Sequence, residues 1–534
     1  MWRALTCAIL AAASLWAQAS TPVILISVDT LRADRLTRAP HMASLGTGGT
    51  IFSQVDSQVP LTLPSHWSMI TSTYPFENRI EENGERAPEG AVTLATVLHS
   101  HGYKTAAFIG SVFLDRQMGF DQGFDFFDSP FQGATQKRDG ALVLRSALQW
   151  LQENRTQPVF AFVHLFDMHK PYPVSYDAQL QYVDKLIAGF KDSLVRFGLW
   201  DRALVVLVSD HGEGLGDHGE DSHGYFVYES TLHVPVIFHW PAGTAVHPAR
   251  VDEPAALIDV APTILDFLHI PAPPSFEGTS LWAPHSGVFA ESVHARDAFG
   301  WAPLRSFRVG QFKYIEAPKP ELYNLQTDPA ELKNLYTKGS PKAADLRAQL
   351  ATLMAKYAPK SPTTSPTNAQ EISPATRKLL DSLGYLAPGP HGTTATNRAA
   401  ATNRAAATTI DPKDRLAEFR LYEDAWLQIY YHRLDTGIAK LKQLLAADPQ
   451  NLLARRDLAG AYADKQDYAH AREAYAAVLA TAPDDYVAQY GIGVANARLG
   501  SLTEAKDHLE VACRIQPDSA DARRELDLVL ARSR

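Results

Sequence analysis

Val23-Ile24-Leu25-Ile26-Ser27-Val28-Asp29 is a nearly continuous apolar, β-branched run that ends at an aspartate. A run of that length without polar alternation suits a parallel strand buried on both faces. Val205-Val206-Leu207-Val208 repeats the pattern, with Asp210 just beyond it. Between the two, helical patterns such as Ala141 to Leu151 intervene. Strand and helix alternating in this way predict an α/β sandwich, helices covering a largely parallel sheet, with its functional site at the carboxyl ends of the strands. Both runs deliver an acidic side chain to that edge.

At 534 residues the chain exceeds what one hydrophobic core serves, so two or more domains are expected. Hydrophobic residues make up 46% and charged residues 20%, the balance of a folded chain rather than a disordered or membrane-spanning one. The net charge of -9 comes without any concentrated Lys/Arg run, which excludes nucleic acid as a partner class. Residues 1–19 read as a secretory signal. Arg3 supplies the positive start, Leu5 to Trp16 is apolar but too short to span a bilayer, and Ala17-Gln18-Ala19 is a small-x-small cleavage site. The mature protein is therefore expected to be exported, periplasmic or extracellular, with no transmembrane segment once the signal is removed. Cys7 lies in the signal, so Cys513 has no intramolecular disulfide partner.

A catalytic domain is assigned to residues 20–357. From 358 to 410 the composition shifts to Pro, Ser, Thr, Ala and Asn. The hexamer Thr396-Asn397-Arg398-Ala399-Ala400-Ala401 recurs from Thr402 to Ala407, the mark of a low-complexity linker, with a helix expected around Ala375 to Leu383. Over 411–534, Pro449, Pro483 and Pro517 recur every 34 residues, the tetratricopeptide period. Leu458, Tyr462, Ala471 and Tyr475 fill one unit, and Ile492, Gly493, Ala505 and Ala512 the next, with a degenerate unit from Pro412 to Ala447. The small residues let paired helices approach closely, so an all-α solenoid that binds a protein or peptide segment is expected here.

Three segments carry the chemistry. They are Ser27 to Asp34 at the end of the first strand, Thr62-Leu63-Pro64-Ser65-His66 in what reads as a loop entering a helix, and Val208 to Glu213 followed by Gly219 to Glu229 with His223. Asp29 with the pair Asp210-His211 gives two carboxylates and an imidazole, a set that holds a divalent cation with positions left open. Ligation would lower the pKa of the Thr62 hydroxyl and turn it into a nucleophile. A helix starting after Ser65 would point backbone N–H groups and a positive dipole at an anionic substrate. Taken singly, a strand-end aspartate or Thr62 also suits a helix cap.

In their order, these segments resemble the sulfatase family of the alkaline phosphatase superfamily. Leu257-Ile258-Asp259-Val260-Ala261-Pro262-Thr263 and Glu321-Leu322-Tyr323-Asn324-Leu325 resemble later landmarks of that family, so the likeness runs from about Val23 to Leu335. The resemblance implies an alkaline-phosphatase-like three-layer α/β/α sandwich and a metal-dependent hydrolase of anionic esters. It also implies a substrate-contacting role for His223, as general acid or ligand of a second metal, and an anion contact for His169 in Phe166-Asp167-Met168-His169-Lys170-Pro171. Asp167 is open between that second metal and a turn.

The departures redirect the chemistry. Sulfatases present a Cys or Ser that becomes formylglycine ahead of Pro-Ser-Arg, whereas this chain has Thr62 there and His66 for the arginine. Thr30 replaces the second N-terminal aspartate, Gly110-Ser111-Val112-Phe113 lacks the Lys-x-His that grips sulfate, and Asp210-His211 replaces Asp-Asn. A Thr nucleophile beside Asp-His resembles the superfamily's phosphodiesterases, phosphonate hydrolases and phosphoethanolamine transferases. The expected ligands are Asp29, Thr62, Asp210 and His211, and the imidazole points to zinc or manganese rather than calcium or magnesium. The expected activity is hydrolysis of a phosphodiester, phosphonate or sulfate ester through Thr62, with His223 and His169 as catalytic partners. Two alternatives remain: a phosphoethanolamine-type transferase acting on cell-envelope glycans, and a non-catalytic domain serving the repeats.

Overall fold

The computed structural model describes residues 21–131, 137–245, 247–358, 409–517 and 519–533. The expected signal, nearly all of the expected linker and the helix expected around Ala375 lie outside the described residues. The chain forms two compact units, Met1–Ser292 with Leu304–Lys360 and Val293–Pro303 with Ser361–Arg534.

In the first unit nine strands make one sheet among the described residues: β1 (Val23–Val28), β2 (Thr50–Asp56), β3 (Lys104–Phe108), β4 (Phe126–Asp128), β5 (Val159–Leu165), β6 (Leu204–Val208), β7 (His233–His239), β8 (Arg250–Val251) and β9 (Ala255–Ala256). Their order is β4-β3-β5-β1-β6-β7-β2-β8, with β9 also on β2. The pairs from β4 to β6 are all parallel, as the apolar runs imply, while β7 is antiparallel to both β6 and β2. The sheet is therefore mixed.

Alternation along β1 sets the layers. Ile24, Ile26 and Val28 enter the apolar cluster built on the helices Gly140–Asn154 and Tyr176–Arg196. The first of these buries Val143, Leu144, Ala147, Trp150 and Leu151, the i, i+1, i+4, i+7, i+8 stripe of an amphipathic helix. Ser27 faces the other way, where its hydroxyl meets His66 on the helix Thr62–Thr71. A second, antiparallel sheet follows, β10 (Val288–Ser292), β11 (Leu304–Val309), β12 (Phe312–Glu316) and β13 (Glu321–Asn324), with the helix Pro341–Tyr357 sharing its core.

Among the described residues, the second unit contains the short helix His294–Phe299, a 3-10 turn at Pro412–Arg415 and seven longer helices from Leu416 to Arg532. Ala471, Ala505 and Ala512 are fully buried, as the repeat pattern requires. Each period also carries its own cap. Asn451, Asp485 and Ser519 accept the N–H of Ala454, Ala488 and Ala522, which closes a first helical turn two residues after each recurring proline. The proline carbonyls are taken by Arg455, Gln489 and Arg523, again one period apart. Among the described residues, no helix is long and apolar enough to cross a membrane.

Candidate active site

β1 ends at Asp29 and β6 delivers Asp210 and His211, because a parallel sheet brings its carboxyl ends to one edge. All three side chains are fully buried. One ligand atom from each lies within 4.8 Å of those from the other two. Among the described residues, Asp29 Oδ1, Asp210 Oδ2 and His211 Nε2 have no hydrogen-bond partner, though His211 Nε2 lies 3.4 Å from Asp210 Oδ2, and such a group of buried acceptors costs free energy unless a cation gathers them. His211 Nδ1 donates to the carbonyl of Gly212 at 2.9 Å, which leaves Nε2 as the ligating nitrogen. This donor set, two carboxylates and an imidazole, fits a divalent ion. Burial pushes Asp29 up to about 6 and raises Asp210 too, each opposed by nearby histidine.

Thr62 stands beside this triad, its Oγ1 donating to Asp29 Oδ2 at 3.3 Å. It is the first residue of its helix, which corrects the expectation that the helix begins after Ser65. Leu61 offers no capping side chain, and the N–H of Leu63 goes instead to Asn83 Oδ1 at 2.9 Å. Pro64 in the first turn lacks only an N–H that would have had no intrahelical acceptor. Thr62 thus sits at the positive end of the helix, and all ten residues of that helix are buried.

His223 is placed by Glu213, whose Oε1 accepts its Nδ1–H at 3.0 Å while Tyr172 donates to Oε2 at 2.6 Å. Its ring is 4.3 Å from that of His211 and 5.1 Å from that of His169. His169 stacks on Phe166 at 4.3 Å and donates from Nδ1 to the Lys170 carbonyl. Burial, then the neighbouring His223, holds it well below the ordinary histidine range. The six residues singled out by sequence therefore gather in one place.

Others resolve into support. His66 donates from Nδ1 to the Thr62 carbonyl at 2.7 Å, and its Nε2 accepts from Ser27 at 2.8 Å. It fixes the helix of Thr62 against β1 and stays neutral, since burial lowers it to about 3. Asp167 accepts the N–H of Gly140 at 3.0 Å, at the start of a helix. Thr30 turns its hydroxyl to the Met168 carbonyl and gives its N–H to Asp210 Oδ1, at φ 57, a left-handed conformation that a β-branched residue holds only under constraint. Asp34 pairs with Arg32 at 2.9 Å, and His218 stacks on Tyr228.

Two further residues were not singled out. His164 on β5 is fully buried, with Nε2 3.6 Å from Asp29 Oδ2 and neither ring nitrogen hydrogen-bonded among the described residues. Its signal was a lone polar residue in an apolar strand, in register with Ser27 of β1. Glu213, two residues after His211, is the other, and only the return of the chain at His223 gives it a partner.

Residues 21–270 match the sulfatase family model, and residues 422–486 and 461–520 the tetratricopeptide repeat model. The chain thus carries a sulfatase-family domain, a placement that fits the alkaline phosphatase superfamily, followed by tetratricopeptide repeats. It is 29% identical over 170 residues to an arylsulfatase of Clostridium perfringens, covering 30% of this chain and 35% of that one. Against a choline-sulfatase of Rhizobium meliloti it is 34% identical over 170 residues, 30% of this chain and 32% of the relative. The matched stretches thus span about a third of these relatives. Among solved structures, the phosphonate monoester hydrolase of Silicibacter pomeroyi shares the fold at a TM-score of 0.55 and 20% identity, over 65% of this chain and 98% of that one. A 2-O GAG sulfatase aligns at 0.54 and 19%, over 63% and 92%.

Proposed function

We propose that the sulfatase-family domain is a divalent-metal-dependent hydrolase of anionic esters that uses Thr62 as its nucleophile. The observation that carries this reading is the Thr62 hydroxyl 3.3 Å from Asp29, next to three buried acceptors, on Asp29, Asp210 and His211, that have no hydrogen-bond partner among the described residues. Asp29, Thr62, Asp210 and His211 would hold the ion, and the imidazole favours zinc or manganese over calcium or magnesium. Such an ion supplies charge neutralisation of the ester and a lowered pKa for a coordinated hydroxyl.

The chain's own residues do the rest. The helix beginning at Thr62 orients Oγ1 and presents its positive end to the anion. Thr62 Oγ1 attacks phosphorus or sulfur as its proton passes to Asp29 Oδ2, the bond to the leaving alkoxide breaks, and His223, held by Glu213, gives that oxygen a proton. Water then attacks the Thr62 ester, His223 accepts a proton from it, and Thr62 leaves with the proton returned by Asp29. A threonine ester cannot collapse as formylglycine does, so a second displacement at the bound group is needed. That requirement favours phosphodiesters or phosphonates over sulfate esters. We further read residues 1–19 as an export signal and the repeats as the site for a protein or peptide segment.

The test is a panel of aryl sulfate, phosphate monoester, phosphodiester and phosphonate substrates with wild type and Thr62→Ala. Diester or phosphonate turnover that disappears in the variant is expected, a loss of about 10⁴-fold or more. Sulfate turnover that survives the substitution would contradict the mechanism.

A further inference from the structure

The strand-end stretch Gly110-Ser111-Val112-Phe113 has no cation to hold the substrate's charge. The fold brings one back from elsewhere. Ser111 is bridged to Lys137, 26 residues later, in an isolated antiparallel pair. Lys137 Nζ donates to the carbonyl of His169 at 2.6 Å and to that of Pro171 at 3.4 Å, and lies 5.6 Å above the Phe166 ring. Phe166 stacks on His169, His169 meets His223, and His223 meets His211. The ammonium is therefore fixed at the end of a chain of rings that leads to the metal ligands.

We propose that Lys137 is the anion-binding cation of this site, gripping a non-bridging oxygen of the ester from the His169 side. The proposal rests on the hydrolase reading above. Two backbone carbonyls account for two of the three N–H donors of an ammonium, and the third serves the substrate. Anchoring by those carbonyls gives the flexible lysine stem a fixed aim, which an anion subsite requires. Burial lowers Lys137 to about 8, opposed by the charges of Asp29, Asp167 and Glu213, so it stays cationic at neutral pH. The same cation disfavours a second metal at His169 and His223, since it would stand against another positive charge.

Inorganic phosphate is the probe, titrated calorimetrically into the full chain before and after chelation, with metal content and melting temperature measured on each sample. Lys137→Met is expected to weaken phosphate about tenfold or more in both states, the loss that accompanies removal of one charge-assisted hydrogen bond, with metal content unchanged. Lys137→Arg should recover most of the affinity. Phosphate affinity equal in Lys137→Met and wild type overturns the Lys137 assignment and leaves the metal reading standing. Equal losses in the Met and Arg variants together with a lowered melting temperature also overturn it, because they assign Lys137 to packing alone. If chelation leaves wild-type affinity unchanged while Lys137→Met still loses it, the cation assignment holds and the metal reading fails.

Discussion

Replacing Asp29 by asparagine should have opposite effects on stability with and without metal. In the metal-free protein, burial pushes the Asp29 carboxyl up to about 6, with Glu213 adding to the rise and His211 opposing it. A raised carboxyl gives stability that is present below its unfolded value and lost as pH rises through about 6. At pH 7 the ionised group therefore costs about 3 kcal/mol, from about two pH units at 1.36 kcal/mol each. Asparagine keeps an oxygen for the Thr62 hydroxyl and carries no charge, so the metal-free variant should be the more stable one by about that amount. For a domain of this size, the difference corresponds to about 4 °C in melting temperature.

With metal the order should reverse. An ion at 1,000 times its dissociation constant stabilises the native state by about 4 kcal/mol. Asp29→Asn removes one of two charged ligands and most of that gain. Thermal unfolding of both proteins at pH 7, with excess zinc and with chelator, measures the four states. Wild type should melt above the variant with zinc and below it with chelator. A variant that melts lower under both conditions would refute the reasoning, because Asp29 would then be a structural carboxylate rather than one held ionised for a cation.

Two other outcomes follow from single contacts. Glu213→Gln should leave metal content unchanged but lower kcat about 10²-fold for alkyl leaving groups and far less for nitrophenyl esters, since His223 would lose the carboxylate that orients it and stabilises its charge; an equal loss for both leaving groups in steady-state assays would remove His223 as general acid. Gly493→Ala places a Cβ 2.6 Å from Leu509 Cγ, so despite its better helix propensity it should destabilise the repeats by about 1–3 kcal/mol in melting experiments while ester turnover is unchanged.

What could be read from sequence was whatever lies close along the chain. β1 and β6 were visible because each is an unbroken apolar run, and their terminal aspartates because a parallel sheet leaves strand ends in one place. The repeats were visible because packing positions recur at a fixed spacing, and the caps at Asn451, Asp485 and Ser519 obey that spacing too. The start of the helix at Thr62 lies earlier than its sequence suggests because its first turn is satisfied by Asn83, a residue from a different segment. The reversal at β7 left no mark either, since an apolar strand reads alike in both directions.

The same division runs through the site. Asp29, Asp210 and His211 are set by where two strands stop, so their chemistry is written locally. Glu213 acts through a loop that returns ten residues later, His164 through its register with Ser27, and Lys137 through a bridge to Ser111. None of these pairings has a spacing that physics fixes in advance, so none has a motif. Thr30 gives a further case: its backbone N–H, not its side chain, meets Asp210 Oδ1, and it does so from a left-handed conformation that a β-branched residue holds only under constraint.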